Sequence, residues 1–218
     1  MPEGDTIHRV ARRIDAALAG RTLERIEAPN PRSPLHLRVE ELARARLERA
    51  EARGKHLLLH LSGERVVHSH LGMSGRWLVR VDNEGPRGRP WLLLGSGPAL
   101  AAMTGGKLLR LTSSRRARND PILLGLGPDP LAPGFDDEAA AARLLGWEPG
   151  APIGAALLDQ SLFAGIGNVI RIEALWQAQV SPWRAVSELE ADEAQGLVGA
   201  ARSIMETNLR SGHRPKSI

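Results

Sequence analysis

Apolar residues in the first twenty positions recur at helical spacing. Ile7, Val10, Ala11, Ile14 and Leu18 form one stripe, and His8, Arg9, Arg12, Arg13 and Asp15 fill the opposite face. Either Asp5 or Thr6 can cap the start, and Gly20 marks the stop. RTLERIEAPN then predicts a short strand and a proline-punctuated loop, and VEELARARLERAEA predicts a charged helix. From Lys55 onward the period changes. KHLLLHL, the turn SGE and RVVHSHLG spell a hairpin, and RWLVRV, RPWLLLGS, PALAAMT and KLLRLT continue as short apolar strands between Gly, Pro, Asn and Asp. TSSRRARNDPILLGLGPDPLAPG reads as a linker. Beyond it FDDEAAAARLLGW, PIGAALLDQ and IRIEALWQAQ read as helices, with a glycine-rich turn in SLFAGIGNV. A final helix carries a Ser187 to Glu190 capping-box spacing and a stripe of Leu197, Val198, Ala201, Ile204, Met205 and Leu209. The expected class is α+β: an N-terminal helix with a β-sandwich over 1–120, a linker over 121–134 and a helical domain over 135–218.

Composition narrows the chemistry. The 218 residues, 42% of them hydrophobic, have room for one large or two small domains with a real core. There is no cysteine, which excludes disulfides, a thiol nucleophile and cysteine-ligated zinc, so any metal would need His or carboxylate ligands. No apolar run reaches the length of a membrane span and the front lacks a secretory core, so the expectation is a cytoplasmic protein with no membrane partner. Net charge is +4, and arginine supplies nearly all the basic side chains; the lysines are Lys55, Lys107 and Lys216. The scarcity of lysine makes each one individually informative.

Four places could carry chemistry. If Met1 is trimmed, Pro2 becomes a free secondary amine with a pKa of roughly 8, partly neutral and nucleophilic near pH 7, with Glu3 beside it as a proton carrier. Gly165 and Gly167 let the backbone approach a partner closely. The amides opening the next helix can hold a phosphate, with Asn168 adding a side-chain donor; equally, the glycines can serve a tightly packed αα-hairpin. Lys55, directly after Gly54, is either a phosphate ligand or a solvated turn lysine. In HSHLGMSG, His68 and His70 alternate without a carboxylate nearby, which suits hydrogen bonding better than a metal, and Met73 sits in a turn where an exposed apolar wedge is one explanation.

PEG, GKHLLLHL, HLGMSG, LGPDPL and DQSLFAGIGNVIRIEAL, in that order, resemble the formamidopyrimidine-DNA glycosylase/endonuclease VIII family of base-excision repair enzymes. The resemblance implies a β-sandwich domain and a helix-two-turn-helix domain acting on damaged double-stranded or single-stranded DNA, in a monomer associated with the bacterial nucleoid. It implies that Pro2 attacks the sugar and forms an iminium, that Glu3 moves protons, that Lys55, Asn168 and the Gly165 and Gly167 turn hold phosphates with Arg171 as a further contact, and that Met73 fills the gap of a flipped nucleotide. The PEG start leans toward the endonuclease VIII branch and oxidised pyrimidines, as does Gly154, where purine-preferring relatives carry a lysine. Departures are also visible. Thr6 stands where relatives often have a second acid, the other wedge residues of the family find no match in WLLLGSGPALAAMTGGKLL, and the chain ends SGHRPKSI with no cysteine for the usual zinc finger, so no metal or cofactor is expected. Two rival readings remain: a damaged-DNA-binding protein of the same fold without catalysis, and a tautomerase-like use of Pro2 as a base.

Overall fold

A computed structural model describes residues 2–82 and 84–211, so most of the SGHRPKSI end lies outside the described residues. The chain divides into two compact units. One comprises Pro2 with Ile7–Leu123, the other Glu3–Thr6 with the chain from Leu124 onward.

The first unit is built on two four-stranded antiparallel sheets. Strands β1 (Arg25–Glu27), β6 (Leu92–Ser96), β7 (Ala99–Thr104) and β5 (Arg76–Arg80) form one sheet in that order. The other is ordered β2 (Leu47–Arg53), β3 (His56–Leu61), β4 (Arg65–His70) and β8 (Leu108–Ser113). Helix α1 (Gly4–Leu18) adds its predicted stripe, Ile7, Val10, Ala11, Ile14 and Leu18, to the same core as Leu57, Leu59, Val67, Leu92, Leu94 and Met103. Its polar face serves the sheet edges. Asp15 accepts the Ala50 N–H of edge strand β2 at 2.8 Å, and Arg13 donates to the Val79 carbonyl of edge strand β5 at 2.8 Å. Both contacts occupy backbone groups that would otherwise invite edge pairing.

The charged stretch VEELARARLERAEA is not a helix. It opens with one 3₁₀ turn over Val39–Leu42, passes through Arg44 at φ 55°, and becomes strand β2. Composition favours a helix here, but β3 needs a partner. In the strand Ala50 and Ala52 pack against the core while Glu51 pairs with His60 on the opposite face, a period-two use of a sequence whose charges are spaced for a helix. Register in this sheet sets His56 opposite His70, Leu58 opposite His68, and His68 opposite Arg110. Three histidines and an arginine therefore share one face, and Leu57, Leu59 and Leu61 supply the core face.

The segment read as a linker is partly ordered into short helices. Ser113 caps α2 (Ser114–Arg118) by accepting the Arg116 N–H, and α3 spans Pro121–Leu124. In the second unit α4 (Asp137–Leu145), α6 (Asn168–Ala178) and α7 (Ala191–Ser211) enclose a core of Leu144, Leu157, Phe163, Ile166, Ile170, Leu197 and Met205. PIGAALLDQ, expected as a full helix, forms only the single turn α5 (Ile153–Ala156); Asp159 then redirects the chain by accepting the Ser161 N–H at 2.7 Å. Ser187 does not cap the last helix. It lies in a 3₁₀ turn, Val186–Glu188, that buries Val186 and Leu189, and the helix starts after Glu190, whose N–H donates to Glu193 at 2.9 Å. The α+β architecture expected from the hydropathy pattern is the one observed, a helix with two sheets followed by a helical unit.

Candidate functional site

Glu3 is completely buried, and its carboxylate sits on the N-terminus of α6. Oε1 accepts the Val169 N–H at 2.9 Å and Oε2 accepts the Ile170 N–H at 3.1 Å, so the acid satisfies two orphan donors at the positive end of the helix. Two glycines make this approach possible. A Cβ on Gly167 would lie 2.4 Å from both Cγ and Cδ of Glu3, and a Cβ on Gly4 would lie 2.8 Å from Cα of Gly165. Gly4 N–H also donates to the Gly165 carbonyl at 2.9 Å, and Gly165 has φ 96°, a region that favours glycine. The PEG and GIG motifs are thus parts of one construction. The helix amides that the sequence suggests for a phosphate instead receive Glu3.

The neighbouring acid, Asp5, is also fully buried. It accepts the Thr6 N–H at 2.6 Å and the side-chain amide of Asn208, in α7, at 2.8 Å. At the opening of the α6 helix Asn168 stays exposed. Its Oδ1 accepts from Arg171 at 2.6 Å, which leaves the amide nitrogen as its remaining donor, and Arg171 also donates to the Gly154 carbonyl at 3.3 Å. Arg171 therefore orients Asn168 and ties α6 to the α5 turn, with its Nε buried and unpartnered.

In the first unit the β2–β3 connection has only two residues, Gly54 at φ 54° and Lys55, as a tight hairpin requires. The β4–β5 turn is equally compact: Gly75 N–H donates to Leu71, and a Cβ on Gly75 would lie 2.5 Å from that same carbonyl. Leu71 is buried while Met73 is thrust out, 83% exposed, as a wedge requires.

Between these turns His56 and His68 share a 2.9 Å contact from Nδ1 to Nε2, and the His56 and His70 rings meet edge-on at 4.7 Å. Burial is the main force lowering their basicity, to about 3 for His56 and about 4 for His68, with the nearby positive charge of Arg110 adding to it. His70 is lowered too, by burial and then by Lys107 and Lys55. All three rings are neutral at pH 7. Arg110 of β8, Arg115 and Arg116 of α2, and Asn119 line an open groove of about 860 Å³. Arg115 and Arg116 are exposed and form no ion pair among the described residues. Their signal in the sequence is the run TSSRRAR, which a hydropathy reading assigns to a linker. Among the described residues no group of three or more His, Cys, Asp or Glu side chains could hold a metal, and no helix is long and apolar enough to cross a membrane.

Residues 1–118 match the family model of the formamidopyrimidine-DNA glycosylase N-terminal domain, and residues 126–217 match that of its H2TH domain. The chain is 40% identical over 212 residues to a probable endonuclease 8 2 of Streptomyces coelicolor, covering 95% of this chain and 74% of the relative. It is 35% identical over 234 residues to a formamidopyrimidine-DNA glycosylase of Cereibacter sphaeroides, covering 97% of this chain and 80% of that one. A crystal structure of the Lactococcus lactis Fpg with abasic-site DNA superposes with a TM-score of 0.81 at 22% identity, over 96% of this chain and 79% of the other, a likeness of fold.

Two outcomes follow from this geometry. Gly167→Ala should push Glu3 off the α6 amides and destabilise the protein by about 1–3 kcal/mol, the cost of unsatisfied buried polar groups, as read by denaturant unfolding; an unchanged midpoint would show that Glu3 has room to move. The neutral histidines should make the protein acid-labile. Unfolded, each titrates near 6.5, so below that pH the unfolded chain binds more protons than the folded one. The stabilisation is complete above about pH 6.5 and is lost as pH falls toward the folded values, at roughly 1.4 kcal/mol per pH unit for each histidine. Unfolding at pH 7.5 and pH 5 checks this, and equal midpoints would contradict it.

Proposed function

The chain belongs to the formamidopyrimidine-DNA glycosylase/endonuclease 8 family, and on that premise we propose that it excises oxidised bases from DNA through Pro2 and then cleaves the abasic strand. The observation that carries the reading is Glu3: the residue directly after Pro2 is an acid, fully buried and bonded to two helix amides.

With Met1 removed, the neutral amine of Pro2 adds its lone pair to C1′ of the damaged nucleotide. The C1′–N bond breaks, its electron pair leaves with the base, and the base takes up a proton. Loss of the amine proton and opening of the sugar ring, with a proton gained at O4′, gives a C1′ iminium. A secondary amine suits this step because its iminium is permanently cationic. That cation acidifies C2′, and removal of a C2′ proton expels the 3′-phosphate. Glu3, whose two oxygens accept from the α6 amides, is assigned the proton transfers at the sugar. The positive end of α1, which begins at Gly4, disfavours protonation of the amine.

Lys55 and Asn168, whose Oδ1 is occupied by Arg171, are assigned to DNA phosphates, and Arg115 and Arg116, which form no ion pair among the described residues, suit the same purpose. Met73, exposed on its tight turn, fills the place of the extruded nucleotide. Oxidised pyrimidines are the proposed substrates. Where purine-preferring relatives carry a lysine, a Cβ on Gly154 would meet Pro182 at 2.9 Å (Cβ) and 3.0 Å (carbonyl oxygen), so a side chain there is opposed by packing. No step in this scheme is routed through a metal, and the chain contains no cysteine.

Borohydride trapping on abasic-site DNA is the direct test. The trimmed protein should yield a covalent product, and protein retaining Met1 should yield none; equal trapping by both would remove Pro2 as the nucleophile. Binding without any trapping would leave a damaged-DNA-binding protein. For the substrate class, excision of an oxidised pyrimidine from duplex DNA should be at least several-fold faster than excision of 8-oxoguanine, and the reverse order in single-turnover assays would overturn the assignment.

A further inference from the structure

Two of the three histidines, His68 and His56, form a directed chain, and its direction is set at one end. Arg110 donates to Nδ1 of His68 from Nε at 3.2 Å and from its terminal nitrogen at 3.0 Å, and it is ion-paired with Asp120. Asp120 is itself buried, and its other oxygen accepts the Ile122 N–H at 2.9 Å. A guanidinium can only donate, so Nδ1 of His68 carries a lone pair, and the neutral ring carries its proton on Nε2. That N–H has one partner, Nδ1 of His56, 2.9 Å away. Nδ1 of His56 is therefore also an acceptor, and the His56 proton is likewise on Nε2. His70 arrives at the same state independently, because its Nδ1 accepts the Gly72 N–H at 3.0 Å.

The consequence is that His56 and His70 each present an Nε2–H donor at this end of the sheet. Nε2–H of His56 and of His70 has no hydrogen-bond partner among the described residues, and the ammonium groups of Lys55 and Lys107 are close enough to His70 to lower its basicity. Lys107 is held there by its N–H to the His70 carbonyl at 2.8 Å and by packing against Gly72, where an added Cβ would lie 3.1 Å from Cβ of Lys107. Neutral rings matter as much as the direction. They add donors without adding like charges beside two lysines.

We propose that Arg110, anchored by Asp120, is a positioning residue that sets the tautomers of His68 and His56, so that His56, near Lys55 and Lys107, turns an imidazole N–H rather than a lone pair toward a phosphodiester oxygen of bound DNA. The phosphodiester part rests on the DNA reading above; the tautomer chain does not.

Long-range ¹H–¹⁵N correlation of the imidazole rings reads each tautomer directly. In the native sequence His56, His68 and His70 should all carry the proton on Nε2. Arg110→Met should release His68 and His56 to a mixed or Nδ1–H state while leaving His70 unchanged, and Arg110→Lys, which keeps a donor, should restore the pattern. His68→Phe breaks the chain without changing net charge. It should weaken binding to DNA carrying an abasic-site analogue about three- to tenfold, the range for one hydrogen bond, with an unchanged salt slope, whereas Lys55→Leu should reduce that slope by about one. An Nδ1–H proton on native His56 or His68, or an Arg110→Met spectrum identical to the native one, would overturn the inference even in a protein that binds DNA. Native tautomers as stated in a protein that fails to bind DNA would instead sink the DNA reading and the phosphodiester assignment with it.

Discussion

The carboxylate of Glu3 on the amides of Val169 and Ile170 is the contact on which the second unit's organisation depends. It connects residues 166 and 167 positions apart in sequence, so its formation orders the start of the chain together with a helix far along it. Burying an acid this completely is costly unless its oxygens are satisfied, and the positive end of α6 satisfies them. The glycines are the steric condition for that arrangement: Gly167 leaves room for the Glu3 side chain, and Gly4 and Gly165 bring two backbones into contact. Asp5, the second buried acid of this segment, extends the same anchoring through Asn208 in α7, with Thr6 as its other hydrogen-bond partner.

The first unit meets a different constraint. The sheet made of β2, β3, β4 and β8 has leucine and valine on its core face, but on the other it buries His56 and His68 and places Arg110 beside them. Buried polar groups are tolerable only when paired, and here the pairing is sequential, from Asp120 through Arg110 to two rings. Lys55 and Lys107 then stand near His70, and Arg115 and Arg116 of α2 form no ion pair among the described residues, unlike the many arginines tied up in surface ion pairs, such as Arg25 with Glu27, Arg38 with Glu41 and Arg184 with Glu193. A total of +4 says little about this distribution.

Much of this protein was determined by its sequence alone. The α1 stripe, the strands from His56 to Ser113, the helices α4, α6 and α7, and the ordered motifs that mark the family are local patterns, because hydropathy periods and turn glycines act over a few residues. Met73 on a tight turn and Lys55 after Gly54 belong to the same class. What only the tertiary structure decided concerns partners distant in sequence. Leu47–Arg53 became a strand because β3 needed an edge partner, the α6 amides went to Glu3, Arg171 turned to Asn168 and Gly154, and His56 and His68, 12 residues apart, were bonded to each other and to an arginine on a third strand. A hydrogen bond is worth its full value only when both partners are placed and desolvated together, and no spacing along the chain encodes that placement.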